Sequence, residues 1–142
     1  MGTEAQVGAF AELVKWAQNF DRTRRQLRTI TPAELKRALD AGEPIAVVDL
    51  RHPLDFLPDP RLIPGAIRIS PGEVAQRHQE IPRDRDVVLY CTCPNEATSR
   101  DVAALLASRG ISRVRPLLGG FQAWRAHGYP LVEAQRSSAS GR

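Results

Sequence analysis

Cysteine is nearly absent from this chain: the 142 residues hold only Cys91 and Cys93, separated by a single threonine. A bridge between them would close too small a ring to staple a fold, so the pair reads as chemistry in a reducing, cytoplasmic compartment. Histidine is scarce too. His52, His78 and His127 are scattered without ligand spacing, which argues against a zinc site, and no redox Cys-X-X-Cys is present. Neither a metal nor a cofactor is called for. No apolar run approaches the roughly 18 residues needed to span a bilayer, and the N-terminus lacks the basic-then-apolar order of a secretory signal. The expected chain is soluble. Clustered charge of one sign is missing as well: 20 Lys and Arg are interspersed with 16 Asp and Glu, leaving +4. Nucleic acid, which needs grouped phosphate contacts, is therefore not the expected partner.

What is present suits one globular unit, since 42% hydrophobic residues can supply a core. Val7, Phe10, Leu13, Val14, Ala17 and Phe20 recur at helical spacing and predict a first helix over about Ala5 to Arg28. It ends in Arg22, Arg24, Arg25 and Arg28. That basic end reads either as the solvated end of a packed or connecting helix, or as a contact to anionic lipid beside an amphipathic face. Thr31, Pro32 and Glu34 form an explicit helix start, and Gly42 a stop. Ile45 to Asp49 is a short β-branched run suited to a parallel strand buried on both faces. Four prolines between His52 and Gly65 predict a surface loop without regular helix. Ala66 to Ile69 reads as a strand, and Ser70 with Glu73 opens a helix to about Gln79.

Val87 to Tyr90 is the best buried strand. The two cysteines follow it, then a helix from about Ala97 to Ser108, a short strand at Val114, a Gly119-Gly120 turn and a last helix at Phe121 to Ala126. Strands alternating with helices predict an α/β fold, about five strands in a mainly parallel sheet with helices on both faces. Residues 1–30 form an N-terminal helix or linker, 31–132 the domain and 133–142 a loose tail. Reactive groups in such sheets collect beyond the carboxyl ends of the strands, where Cys91 falls. Backbone N–H groups of a loop, together with the positive end of a following helix, stabilise a sulfur anion there. Cys91 could equally be the last buried residue of its strand.

VVDLR before a proline-rich loop, IPGAIRI, VVLYC before a cradle-like loop, and LLGGFQAW before GYP together resemble the rhodanese family, over about Thr31 to Val132. The resemblance implies a five-stranded, largely parallel sheet between helices. It also implies sulfurtransfer: a cysteine alternates between thiol and persulfide while moving sulfane sulfur from thiosulfate or a thiol persulfide to a thiol or cyanide. By its place at the strand end that cysteine is Cys91. The loop here, Cys-Thr-Cys-Pro-Asn-Glu-Ala-Thr-Ser, departs from the family's pattern and is longer, and counting back from the helix selects Cys93 instead. Cys93 otherwise serves as a resolving thiol or is a weakly engaged neighbour. Pro94 has no N–H, so the substrate cradle falls to the loop Thr92 to Thr98, with amides from Cys93, Asn95, Glu96, Ala97 and Thr98. Glu96 should disfavour anionic thiosulfate. Arg61 and Arg100 are the candidate anion contacts, and Asp49 with Arg51 resembles the family's strand-end ion pair. Gly65, Gly119, Gly120 and Trp124 read as turn and packing residues.

YCTCPNEATS and VRPLLGGFQAW are also similar to rhodanese domains attached behind DedA-type membrane proteins. That likeness implies that the N-terminal helix is a tether. Dual-specificity phosphatases and arsenate reductases share the fold, but they place an arginine six residues after the cysteine. Here that position holds Ala97 counted from Cys91 and Ser99 counted from Cys93, with Arg100 beyond both. The remaining rival is a rhodanese-fold regulatory or protein-interaction module with little catalysis.

Overall fold

Two short valine-rich strands cannot hide their apolar side chains on one face alone, so the chain has to cover both. In the computed structural model, which describes residues 4–134, β1 (Ile45–Asp49) and β4 (Asp86–Tyr90) form the centre of the sheet. They pair in parallel along their whole length, from Ile45 opposite Asp86 to Asp49 opposite Tyr90. β3 (Ile67–Arg68) and β5 (Val114–Pro116) flank them, giving the order β3-β1-β4-β5 with every pairing parallel. The sheet thus has four strands rather than about five. The expected fifth is reduced to one parallel bridge between Ile30 and Leu117 at the β5 edge, because only Ile30 reaches the ladder before Thr31 caps a helix.

Side chains alternate across each strand. Val48, Val87, Leu89 and Cys91 enter one cluster with Val102, Ala103 and Leu106 of α5 (Ala97–Ser108) and Val74 of α4 (Val74–Arg77). Val47, Val88 and Tyr90 enter the other, with Leu35 of α2 (Pro32–Asp40) and Phe121 and Trp124 of α6 (Gly120–Ala126). The helices therefore cover both faces. α2 starts as its sequence demands: the Thr31 hydroxyl accepts from Glu34 N at 3.1 Å, and the Glu34 carboxylate accepts from Thr31 N at 2.9 Å. That second bond holds the Glu34 carboxyl below its ordinary pKa.

Other boundaries shift. The capping box at Ser70 and Glu73 forms, but it opens a 3-10 turn at Pro71–Glu73, then α4 and a second 3-10 turn at His78–Glu80. The proline-rich segment contains one helical turn, α3 (Pro53–Phe56), because Pro53 stands at the first helical position, where no N–H is required. Glu133, expected to begin the loose tail, continues with Val132 into β6 (Val132–Glu133), which pairs antiparallel with β2 (Arg61–Leu62). The rest of the expected tail beyond Ala134 lies outside the described residues. α1 (Glu4–Gln26) packs its C-terminal half on α5, with an Arg24–Asp101 ion pair, and leaves Phe10, Leu13 and Trp16 exposed. No helix among the described residues is long and apolar enough to cross a membrane.

Candidate active site

The carboxyl end of the sheet is tied down before the loop begins. Leu50 N donates to the Tyr90 carbonyl at 2.8 Å, and Phe121 N donates to the Cys91 carbonyl at 3.0 Å. Strand alternation then sends the Cys91 side chain into the α5-side core, 2% exposed, where the Ser99 hydroxyl donates to Sγ at 3.2 Å. The chain turns outward at Thr92. Its hydroxyl donates to Asp55 Oδ2 at 3.0 Å, and its carbonyl accepts from the Gln122 side chain at 3.3 Å. Cys93 follows, half-buried, with Sγ 2.9 Å from the Thr98 hydroxyl. Two consecutive hydroxyls at the start of α5 therefore each touch one thiol.

Between Cys93 and α5 the backbone is strained: Asn95 and Glu96 both have φ of 54°, in the left-handed region that L-residues avoid at about 1–2 kcal/mol each. Glu96 holds this shape. Its carboxylate accepts from Gly119 N at 3.0 Å and from the Arg100 guanidinium at 3.2 Å, and Arg100 also donates to the Asn95 carbonyl at 3.1 Å. The expected repulsion of anions by Glu96 is thus met by Arg100, and Arg100 itself is a brace of the loop. Ala97 is set aside from the cradle, because its N–H donates to the Pro94 carbonyl in a 3-10 turn.

Cys93 lines an open cavity of about 450 Å³ bounded by Thr92, Pro94, Leu54, Asp55, Pro58, Asp59, Phe121, Gln122 and Arg125. Nothing in the sequence marked Asp55, Asp59, Gln122 or Arg125 for this site. The only available signal was the acid-rich spacing within the proline segment. A hollow of about 740 Å³ beside α2, near the strand starts Ile45 and Asp86, holds no thiol.

Asp49 and Arg51 form a fully buried pair behind the cavity, with Arg51 Nη2 donating to Asp49 Oδ2 at 2.8 Å. Arg51 also donates to the Asp59 and Arg61 carbonyls at 2.8 and 2.7 Å and lies 3.9 Å from the Phe121 ring centre. Neighbouring Tyr90 takes Ile63 N on its hydroxyl at 3.2 Å, and burial pushes the phenol well above its ordinary range. Arg61 is not among the residues bounding the cavity. It binds Asp59 through two bonds of 2.7 and 2.9 Å, while Arg125 holds the same carboxylate at 2.9 Å.

The two hydrogen bonds from Arg61, followed by the one from Arg125, hold the Asp59 carboxyl far below the ordinary 3.8. A depressed folded-state pKa contributes stability that is complete above the unfolded value and fades as pH falls through the folded one. Wild type should therefore lose stability on going from about pH 5 to about pH 3, and Asp59→Asn should show a shallower acid limb. Urea midpoints at the two pH values check this; parallel limbs would refute it.

A family model described as rhodanese-like domain matches residues 31–127. The chain belongs to the rhodanese-like domain family. It is 37% identical over 103 residues to a protein named sulfurtransferase from Allochromatium vinosum, covering 72% of this chain and 92% of that one. It is 26% identical to the thiosulfate sulfurtransferase GlpE of Coxiella burnetii, over 66% of this chain and 82% of GlpE. The crystal structure of a rhodanese-related protein from Thermoplasma volcanium superposes with a TM-score of 0.60 at 28% identity, covering 75% of this chain and 99% of that one. These likenesses place the rhodanese-like chain among sulfurtransferase relatives.

Proposed function

We propose that this rhodanese-like domain is a sulfurtransferase that carries sulfane sulfur as a persulfide on Cys93, with Cys91 beneath it. The observation that carries this reading is the split between the thiols: Cys93 lines the cavity, whereas Cys91 is 2% exposed and packed among core side chains. A nucleophile has to reach its electrophile, and Cys93 is placed to do so. The Cys93 thiolate attacks the outer sulfur of a donor, the donor's leaving group departs, and an acceptor thiol or cyanide then removes that sulfur and restores Cys93. The amides of Asn95, Glu96 and Thr98 and the Thr98 hydroxyl are the available groups for a charged sulfur. Both cysteines are free, in keeping with a reducing cytoplasmic setting. In the same reading α1, with Phe10 and Leu13 exposed, links the domain to a membrane-embedded partner.

A second assignment, persulfide on Cys91, draws support from its strand-end position and the Ser99 hydrogen bond. Reduced protein loaded with a glutathione persulfide donor, and separately with thiosulfate, separates the two by intact mass and peptide mapping. We expect a one-sulfur gain in wild type and Cys91→Ser that disappears in Cys93→Ser, with thiosulfate the poorer donor. Loss only in Cys91→Ser would move the carrier to Cys91. No gain with either donor would leave the regulatory or protein-interaction module as the function.

A further inference from the structure

The walls of the cavity that Cys93 lines carry charge of both signs, from Asp55, Asp59 and Arg125. Asp55 is exposed, its Oδ2 is taken by the Thr92 hydroxyl, and it has no ion-pair partner among the described residues. Also at this cavity, Arg125 shares the Asp59 carboxylate with Arg61, and Arg61 in turn faces Glu133 across β2 and β6. Arg125 is the member of that trio that is both at the cavity wall and half-exposed, at 49%. It sits one helical turn beyond Gln122, whose side chain grips the Thr92 carbonyl, so α6 presents both residues to the same cavity. The cavity that Cys93 lines thus holds both an unpaired carboxylate and a half-exposed guanidinium.

We propose that the sulfur donor of this site is a persulfide of a small zwitterionic amino thiol, with Asp55 receiving its ammonium group and Arg125 its carboxylate. Cysteine persulfide is the simplest molecule of this class. The inference rests on the sulfurtransferase reading and sharpens it, since a thiosulfate dianion has nothing to offer Asp55. In the step itself the Cys93 thiolate forms a bond to the donor's outer sulfur while the donor's S–S bond breaks. The departing thiolate takes up a proton to leave as free cysteine, and Cys93 becomes the persulfide, with no external oxidant or reductant. An exposed ion pair changes affinity by up to about fivefold, so each of the two contacts should appear as a preference of that order.

The test compares rates of persulfide formation, read by mass, for cysteine persulfide, N-acetylcysteine persulfide, which lacks the ammonium group, and cysteine methyl ester persulfide, which lacks the carboxylate. Wild type should favour the first over each of the others by about fivefold. Asp55→Asn keeps an acceptor for Thr92 but removes the charge, so it should bring the N-acetyl ratio to near one and leave the ester ratio standing. Arg125→Gln should do the converse, while Arg61 still holds Asp59. Equal rates for the three donors in wild type, or ratios that survive both substitutions, would overturn the zwitterion assignment while leaving sulfur transfer intact. Failure of every donor to load either cysteine would overturn sulfur transfer itself, and this assignment with it.

Discussion

Arg51→Leu should destabilise the domain by about 3–5 kcal/mol, the cost of leaving one member of a buried ion pair uncompensated. Both side chains are wholly buried, so water cannot replace the lost guanidinium beside Asp49. Asp49 Oδ1 keeps the backbone N–H of residue 51 at 2.9 Å, but two further acceptors lose their donor at once, the Asp59 and Arg61 carbonyls. Leucine fills part of the space against Phe121 and Phe56 but satisfies none of these oxygens. Asp49→Asn should be milder, because an amide oxygen still accepts from Arg51. The Asp49→Asn, Arg51→Leu double variant should cost less than the sum of the two single changes, since it removes the orphaned charge. Urea unfolding of the three variants measures this, and an Arg51→Leu cost below about 1 kcal/mol would mean that Asp49 finds another partner. Arg68, whose Nη1 lies 3.8 Å from Asp49 Oδ1, is the nearest available.

Much of the frame was legible because its signals are local. Thr31 with Glu34 is a complete instruction for a helix start, and both halves of the box form. Ile45 to Asp49 and Val87 to Tyr90 are too short and too uniformly apolar to be anything but central strands, and they pair along their length. Ile30 carried no such signal. One isoleucine before a cap cannot announce a strand, and only the edge left by Leu117 draws it into the ladder. Pro53 misled for a related reason: clustered prolines argue for a loop, yet a single proline at a first helical position favours a turn of helix.

The site divided along the same line. Which thiol is buried turns on alternation: Cys91 shares the face of Val87 and Leu89, so a count along the strand already directs it into the core. The polar setting of the loop around Cys93 is local only in part, as in the Thr98 contact. Asp55 is 37 residues from Thr92, Gln122 is 30, and Glu96 reaches Gly119 across 23. Such contacts exist only after β1, β4 and α6 have brought three segments to one end of the sheet. No spacing rule contains them. Arg61 and Arg100 show the converse: each looked like an anion contact because it is a cation near the loop, and each is occupied by a carboxylate the sequence places close by.

Gly120→Ala should cost about 3 kcal/mol or more and slow sulfur uptake, because that glycine lies where α6 meets the strand end. A Cβ there would stand 2.1 Å from the Cys91 carbonyl oxygen, on a backbone with φ of 61°. The left-handed conformation alone charges alanine about 1–2 kcal/mol. The clash adds more, since the obstacle is backbone rather than the end of a flexible side chain, and either α6 or Cys91 has to move. Movement would strain the bond from Phe121 N to the Cys91 carbonyl and, one residue earlier, the Gly119 N–H that pins Glu96 and the strained loop. Gly42→Ala is the matched control: φ is 72°, nothing lies within 4 Å of the added carbon, and the residue follows α2, away from the thiols. It should show only the conformational cost and normal sulfur uptake. Urea midpoints with unchanged slopes, paired with persulfide loading, distinguish the two variants. Equal destabilisation with equal loading would show that the strand end relaxes freely, and that the Gly119-Gly120 turn does not hold the Cys93 loop in place.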